Sequence, residues 1–289
     1  NNKILITGAT GFVGSYIADK FFEKFNSKHI TIIGRNIKSW HSTSINNNLI
    51  CIDLLKDDLT KLGNFDCVIH CAGLHGDNTK SWEDYYNYNA LITKRLIEVI
   101  NFSKLIYIST CSVFSNVKLL KNIPDPSNSY GLSKFIAEKL LKFYSNKNKK
   151  SKIIVLRFPT IIGNNSKINL VDYIYNQSLL NQDIEIFGNS HLKRNFIYIN
   201  LVLNTILKLF YKKKFDSNYE EFNIASSRSM SIQNIIALIT SKTYSKSKIK
   251  ILLKEPTYNF DTKIDISKSL KSNILSPITT KLNIINFLN

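Results

Sequence analysis

Three glycines at intervals of three, in Thr7-Gly8-Ala9-Thr10-Gly11-Phe12-Val13-Gly14, constrain this chain more than any other feature. They follow an apolar run, Lys3–Thr7, that reads as a buried strand. They precede Phe12–Phe25, where Val13, Ile17, Phe21 and Phe25 recur at helical spacing. In a strand that turns directly into a helix, Gly8 permits the tight turn, Gly11 lets the backbone approach a pyrophosphate, and Gly14 lets helix and strand pack closely. The pyrophosphate then sits on the free N–H groups at the helix N-terminus. Thr10, Phe12 and Val13 complete the turn as candidate contacts. A glycine turn that binds nothing is the competing reading, and a place on the first turn of a repeated strand–helix pattern argues against it.

That pattern continues. Ile30–Ile33, Leu49–Ile52, Asp66–His70, Leu105–Thr110 and Lys152–Phe158 read as further strands, and about Trp82–Asn101 and Tyr130–Ser145 as helices. Near-continuous apolar strands separated by helices imply a parallel sheet covered on both faces. The fold class is α/β, a Rossmann-type doubly wound sheet, with residues 1–163 as the dinucleotide-binding domain. After Gly163 the order loosens into a helix (Leu170–Leu180), a short strand (Ile184–Phe187), a helix after Asn200, a strand (Phe222–Ile224), and helices near Ser231–Ser241 and at the C-terminus. Residues 164–289 read as a smaller α/β substrate-binding subdomain, with about 195–225 packing back on the first. The polar stretches Asn36–Asn48 and Asn116–Asn128 read as loops.

Composition bounds the function. With 289 residues, 44% of them hydrophobic and 21% charged, the chain has the mix of a core-forming globular protein. Its four cysteines, Cys51, Cys67, Cys71 and Cys111, lack C-x-x-C spacing, so no zinc ribbon or redox pair is implied, no metal is expected, and a reducing compartment fits. No apolar run reaches the roughly 18–20 residues that span a bilayer, and the first residues do not read as a signal peptide; a cytoplasmic location is expected. The net charge is +18, from 39 Lys+Arg against 21 Asp+Glu. The lysines are spread along the whole chain, which fits a positive surface attracting an anionic small substrate better than a nucleic-acid partner.

Ile33-Gly34-Arg35-Asn36 closes the second strand. An acidic residue here would bind a ribose 2′-hydroxyl, whereas an arginine accommodates a 2′-phosphate, so Arg35 favours NADP(H) over NAD(H). A solvated loop arginine is the other reading. Asp53, in Cys51-Ile52-Asp53-Leu54, either holds the adenine edge or caps the next helix. Tyr130-Gly131-Leu132-Ser133-Lys134 places Tyr130 and Lys134 on one helix face. A tyrosine ordinarily titrates near about 10, and an adjacent ammonium favours the phenolate, so the pair can pass a proton at a sugar or ketone oxygen. The preceding strand ends Ile108-Ser109-Thr110-Cys111-Ser112, presenting Thr110 at the carboxyl edge where ligands bind.

Glycine turn, hydroxyl strand end and Tyr-Lys helix, in this order, resemble an extended short-chain dehydrogenase/reductase of the NAD-dependent epimerase/dehydratase type that acts on nucleotide sugars. The resemblance runs over nearly the whole chain. Val68-Ile69-His70-Cys71-Ala72-Gly73-Leu74 resembles the family's fourth strand and its cofactor-facing end, which implies cofactor contacts from Cys71, Ala72, Gly73 and His75, with Leu54 beside Asp53. Asn89, with Thr93 one turn on, resembles the helix asparagine near the cofactor. Leu156-Arg157-Phe158-Pro159-Thr160-Ile161-Ile162-Gly163 resembles the sixth-strand motif, which implies Pro159 at the cofactor and Thr160 at the substrate. Asn169-Leu170, Ile186-Phe187-Gly188 and Arg194-Asn195-Phe196 resemble nucleotide-sugar contacts. By the same resemblance Thr110 hydrogen-bonds the reacting oxygen, Tyr130 is the general acid/base, and Lys134 holds the nicotinamide ribose.

The departures narrow the activity. Cys111 and Ser112 stand where the family's dehydratases place an Asp-Glu pair, so elimination of water is not expected. Ser112 and Asn165 stand where fucose-synthase-like enzymes place Cys and His, which disfavours 3,5-epimerisation. Around Thr257–Asp261 the family's diphosphate-gripping arginine is missing, with Lys254 as its candidate substitute. The expectation is an NADPH-dependent 4-keto reductase of a nucleotide-deoxysugar. The alternative is a 4-epimerase that recycles tightly held NAD, and the alternative of another class is a non-catalytic cofactor- or RNA-binding member of the fold. The helices near 82–101 and 130–145 carry more apolar residues than one face needs, which fits a homodimer through both.

Overall fold

A computed structural model of the chain describes residues 2–35, 49–76, 80–114, 123–166, 169–252 and 261–289. The chain divides into two compact units: one runs through Arg157 and takes back Leu203–Phe222, and the other holds Phe158–Val202 and Asn223–Asn289. The division falls after residue 157.

The first unit is built on one sheet. Its strands are β1 (Ile4–Thr7), β2 (Ile30–Gly34), β3 (Leu49–Cys51), β4 (Asn64–His70), β5 (Asn101–Thr110), β6 (Lys152–Phe158) and β11 (Tyr219–Asn223). They lie in the spatial order β3-β2-β1-β4-β5-β6-β11. The pairs β1–β2, β1–β4, β2–β3 and β4–β5 are all parallel, with Thr7 opposite both Ile33 and His70. Strand order reverses between β1 and β4, and ligands of such sheets bind beyond the strand ends at that switch point. All four β1 residues are buried, as a strand covered on both faces requires.

Helix α1 (Phe12–Lys24) buries Gly14, Ile17, Ala18 and Phe21, which includes Ile17 and Phe21 of the predicted stripe, while Val13 and Phe25 are half-buried. The helix read over Trp82–Asn101 is three pieces: α2 (Trp82–Tyr85), a π-helical turn (Tyr86–Leu91) and α3 (Ile92–Val99). A reciprocal Ser81–Asp84 capping box starts it. It ends early because Ile100 turns to extended backbone to feed β5, which begins at Asn101. Helix α4 (Ser129–Lys147) starts at Asn128, whose side chain accepts the Gly131 N–H at 2.7 Å. Val68, Leu96, Leu105, Leu141 and Val155 are among the side chains that fill the core under these helices.

The second unit is knit from short pairs. β7 (Thr160–Ile162) runs parallel to β10 (Phe196–Tyr198), and β8 (Ile184–Phe187) parallel to β13 (Ile249–Leu252). β9 (Lys193–Arg194) pairs antiparallel with β12 (Met230–Ser231). The unit also holds α5 (Leu170–Leu179), the start of α6 (Ile199–Tyr211), α7 (Ile232–Lys242), α8 (Ser267–Lys271) and α9 (Thr280–Leu288). Its core gathers Val171, Ile174, Ile184, Ile235 and Ile284.

The tightest joint of the first unit lies between α1 and β1, where a Cβ on Gly14 would sit 2.2 Å from the Gly8 carbonyl oxygen. That oxygen is backbone and cannot swing aside. Gly14→Ala is therefore expected to cost about 1–3 kcal/mol, read as a lower urea midpoint at unchanged slope.

Candidate active site

The glycine turn has the shape that a bound pyrophosphate needs. Gly8 is left-handed at φ +68°, and a Cβ there would lie 2.6 Å from the Ala72 nitrogen. The Gly11 N–H closes the turn on the Gly8 carbonyl at 2.9 Å, and Gly11 then starts α1 with no side chain capping the helix. Neither does an acidic residue occupy the first helical turn. The amides of Phe12 and Val13 thus begin a helix whose positive end is uncompensated by a side chain, as a dinucleotide diphosphate requires. Gly34 is kept bare by Thr10, whose methyl would lie 2.6 Å from any Cβ there.

Arg35 follows at the end of β2. It is exposed, and its guanidinium lies 4.4 Å from the centre of the Tyr88 ring. A cation held over a ring face in this way does not use its N–H donors in that contact. Asp53 accepts the Leu55 N–H at 2.8 Å through one oxygen, a local turn. The Leu54 side chain is buried in the core, and its carbonyl accepts from Arg95 at 2.7 Å. The Leu54 side chain, then, is not exposed to a cofactor.

A buried relay ties the turn to β4 and the π-helical turn. The Thr93 hydroxyl donates to the Asn89 carbonyl at 2.7 Å, so its oxygen accepts the His70 Nε2–H at 3.0 Å. His70 Nδ1 then accepts the Thr7 hydroxyl at 2.6 Å, and Thr7 in turn accepts the Ala72 N–H at 3.2 Å. This fixes one tautomer. Burial, with a smaller contribution from the charge of Lys134, pushes the His70 pKa down to about 3, so the ring stays neutral.

The Asn89 side chain is spoken for at both ends. It accepts the Leu74 N–H at 2.8 Å and donates to Ser133 Oγ at 2.9 Å. Asn89 therefore holds the strand-end segment Cys71–His75 against α4. A Cβ on Gly73 would lie 2.6 Å from its amide oxygen. Burial pushes the Cys71 thiol up to about 12. His75 is exposed, and its carbonyl accepts from the Tyr85 hydroxyl at 3.3 Å.

Thr110, Tyr130 and Lys134 stand around one corner. Thr110 ends β5, donating to Ser112 Oγ at 3.1 Å and accepting the Ser112 N–H at 3.1 Å. The start of α4 abuts that turn, since a Cβ on Gly131 would lie 2.1 Å from the Ser112 carbonyl oxygen. The half-buried Tyr130 ring lies against Gly76, where a Cβ would come within 2.4 Å of it. Lys134 is buried. Its ammonium donates to the Ile108 carbonyl at 2.6 Å and sits 4.1 Å over the Tyr107 ring. Burial lowers its pKa to about 7, opposed chiefly by the charge of Glu138. Cys111 follows Thr110 with its thiol pushed well up by burial.

Sequence reasoning missed Glu138 and the role of Arg157. Glu138 accepts from Ser109 Oγ at 2.5 Å and from Arg157 Nη2 at 2.7 Å, with both charged side chains buried. Arg157 also reaches Glu221 at 3.0 Å. A signal was present, because Glu138 continues the four-residue spacing of Tyr130 and Lys134 on the same face.

The remaining candidates belong to the second unit. Asn169 caps α5, accepting the Val171 and Asp172 N–H groups at 3.0 and 3.2 Å. Leu170 is partly buried against that unit's core, Ile186 is inside it, and Phe187 on the other face of β8 is exposed. Arg194 donates to the Lys193 carbonyl at 3.1 Å. Pro159 is half-buried between β6 and β7, and Thr160 is exposed. Lys254 and residues 257–260 lie outside the described residues, as does the stretch 36–48. Among the described residues no group of three or more His, Cys, Asp or Glu could hold a metal, and no helix is long and apolar enough to cross a membrane.

Known proteins give this geometry a context. The model of the NAD dependent epimerase/dehydratase family matches residues 4–225. CDP-abequose synthase of Salmonella muenchen is 28% identical over 255 residues, covering 86% of this chain and 83% of that protein. The crystal structure of UDP-glucuronic acid 4-epimerase from Bacillus cereus, in complex with UDP-glucuronic acid and NAD, superposes with a TM-score of 0.84 at 27% identity, covering 99% of this chain and 97% of the other. UDP-glucose 4-epimerase of Pisum sativum is 23% identical over 303 residues, covering 89% of this chain and 85% of that one.

The neutral His70 has a measurable signature. Its depressed pKa means that the unfolded chain takes up a proton on this ring between about pH 6.5 and 3 while the folded chain does not. Stability from this group is complete above about 6.5 and falls as pH drops toward 3, by up to about 1.4 kcal/mol per pH unit. Urea unfolding between pH 6 and 5, above most carboxylate titration, is expected to show that slope, and His70→Asn to flatten it.

Proposed function

Because the chain belongs to the NAD-dependent epimerase/dehydratase family, we propose that it transfers a hydride between a nicotinamide dinucleotide and a ring carbon of a nucleotide-activated sugar, as an NADPH-dependent 4-keto reductase of a nucleotide-deoxysugar. The observation that carries the reading is the corner where Lys134 and Gly131 of α4 close on Ile108 and Ser112, on either side of Thr110. The dinucleotide, when bound, supplies the hydride. The glycine turn and the start of α1 hold its diphosphate. Tyr130 gives a proton to the C4 oxygen, or takes one from it. The Thr110 hydroxyl, paired with Ser112, orients that oxygen. Lys134 binds the nicotinamide ribose.

Two observations support NADPH. The Arg35 guanidinium lies over the Tyr88 ring at the end of β2, and the sequence from Gly34 to Ile52 contains no Asp or Glu to take a 2′-hydroxyl. A second reading, a 4-epimerase that recycles NAD, is supported by the Bacillus cereus neighbour, which holds NAD and UDP-glucuronic acid. By resemblance we assign Thr160, Asn169, Leu170, Ile186, Phe187 and Arg194 to the nucleotide sugar. We also assign a homodimer contact to α2–α3 and α4, whose exposed Trp82, Tyr86, Val99, Leu132 and Phe143 suit a helical interface. A sedimentation mass of one chain at micromolar concentration overturns that contact.

The nucleotide released by denaturing freshly purified protein separates the readings. Stoichiometric NAD supports the epimerase and turns Arg35 into a surface charge. A chain that emerges empty, binds NADPH well ahead of NADH and oxidises it against a 4-keto-sugar supports the reductase. Tyr130→Phe is expected to lower kcat by about 10²–10⁴-fold with NADPH binding retained. Arg35→Ala is expected to weaken NADPH by about tenfold or more, at least about 1.4 kcal/mol, and to leave NADH nearly unchanged.

A further inference from the structure

We propose that Glu138, clamped by Arg157, is a positioning residue of the reaction site: through the Ser109 hydroxyl it fixes the end of β5, and with it the Thr110 hydroxyl and the Ile108 carbonyl that seats Lys134. The proposal rests on the reaction roles given above to Thr110, Tyr130 and Lys134.

The last residues of β5 are tied to one helix. Lys134 holds the carbonyl of Ile108, and Glu138, one turn further along α4, holds the hydroxyl of Ser109 at 2.5 Å. Thr110 comes next in the chain. Glu138 cannot swing to another partner, because Arg157 takes both its oxygens, at 2.7 Å through Nη2 and at 3.1 Å through Nε. The cation is itself fixed by Glu221 at 3.0 Å and by the Phe114 ring, 5.3 Å from the guanidinium. Stability alone gives little reason for such a pair, since apolar replacements of buried ion pairs are often neutral or stabilising.

Charge gives a second reason. Arg157 lies between two carboxylates, Glu138 and Glu221, so the three carry one net negative charge that the Lys134 ammonium completes. Among the described residues, the other groups facing Lys134 include His70 and Cys71 at the end of β4 and Tyr107 on β5, with Tyr130 one turn back on its own helix. His70 is neutral, and burial keeps the Cys71 thiol and the Tyr107 phenol protonated. Among these, Glu138 is the carboxylate that sustains the ammonium against its burial.

Two variants separate tie from charge. Ser109→Ala removes the tie and keeps the charge. Glu138→Gln keeps an acceptor for Ser109 and removes the charge. In Ser109→Ala, kcat for NADPH oxidation with the 4-keto-sugar is expected to fall about 10–100-fold, with KM and the thermal midpoint little changed. In Glu138→Gln the alkaline limb of the kcat profile is expected to move about one unit lower, because Lys134 loses its proton sooner. The ¹⁵N resonance of Lys134 in the cofactor-free protein, assigned with Lys134→Arg, should titrate lower by the same amount. Wild-type kcat in Ser109→Ala together with an unmoved Lys134 titration in Glu138→Gln overturns the proposal, even if both variants melt earlier. Should Glu138→Gln not fold, wild-type kcat in Ser109→Ala overturns it alone. If the wild type turns over no keto-sugar, the functional reading falls, and the ¹⁵N titration still decides whether Glu138 sustains Lys134.

Discussion

Everything at this site is measured from one place where backbone touches backbone. The Gly8 carbonyl leaves no room for a Cβ on Gly14, and the Ala72 nitrogen leaves none on Gly8. Helix α1, strand β1 and the end of β4 therefore meet with only hydrogen atoms between them. Any side chain here would wedge the helix off the sheet and carry its free amides away from the switch point between β1 and β4. Because Thr7 sits in the same turn and accepts the Ala72 N–H, the corner is set by packing and by hydrogen bonding together.

Two buried polar systems extend that order outward. One runs from Ala72 through Thr7, His70 and Thr93 to Asn89, whose side chain then reaches Leu74 and Ser133. The other runs from Ser109 through Glu138 and Arg157 to Glu221. Partly satisfied networks are costly in an apolar interior, whereas filled ones specify a single arrangement. The π-helical turn belongs to the first system. It brings the Asn89 carbonyl to Thr93 and the Asn89 amide to α4 in one residue, a local departure of the kind found at functional positions.

The parts legible in sequence were those written in short-range periods. The glycine triplet, the alternation of apolar strands with helices, and the spacing of Tyr130 and Lys134 each reflect contacts within a few residues. The π-helical turn escaped because it preserves the apolar run while changing its register. The paired strands β9 and β12 escaped because each spans two residues, too few for any period. The clamp between Glu138 and Arg157 joins a helix to a strand 19 residues on, and no local pattern records it. Ile186 and Phe187 show the same limit: adjacent in sequence, they fall on opposite faces of β8, one in the core and one exposed.

The charge pattern also bears on which chemistry the corner suits. A dehydration needs a carboxylic acid and a base free to work beside the sugar. The carboxylate near β5, Glu138, is buried and held by Arg157 and Ser109, so it is engaged in that clamp. Cys111, next to Thr110, keeps its proton because burial raises its pKa. Among the described residues, β5, α4 and the turn between them supply the Thr110 and Ser112 hydroxyls, the Tyr130 phenol and the Lys134 ammonium, whose pKa lies at about 7. These groups can move protons at oxygen. Hydride transfer to a carbonyl asks for proton delivery to the oxygen, and its reverse asks for removal of that proton. The hydroxyls, phenol and ammonium of the corner are thus groups of the kind that the proposed hydride transfer asks of the protein.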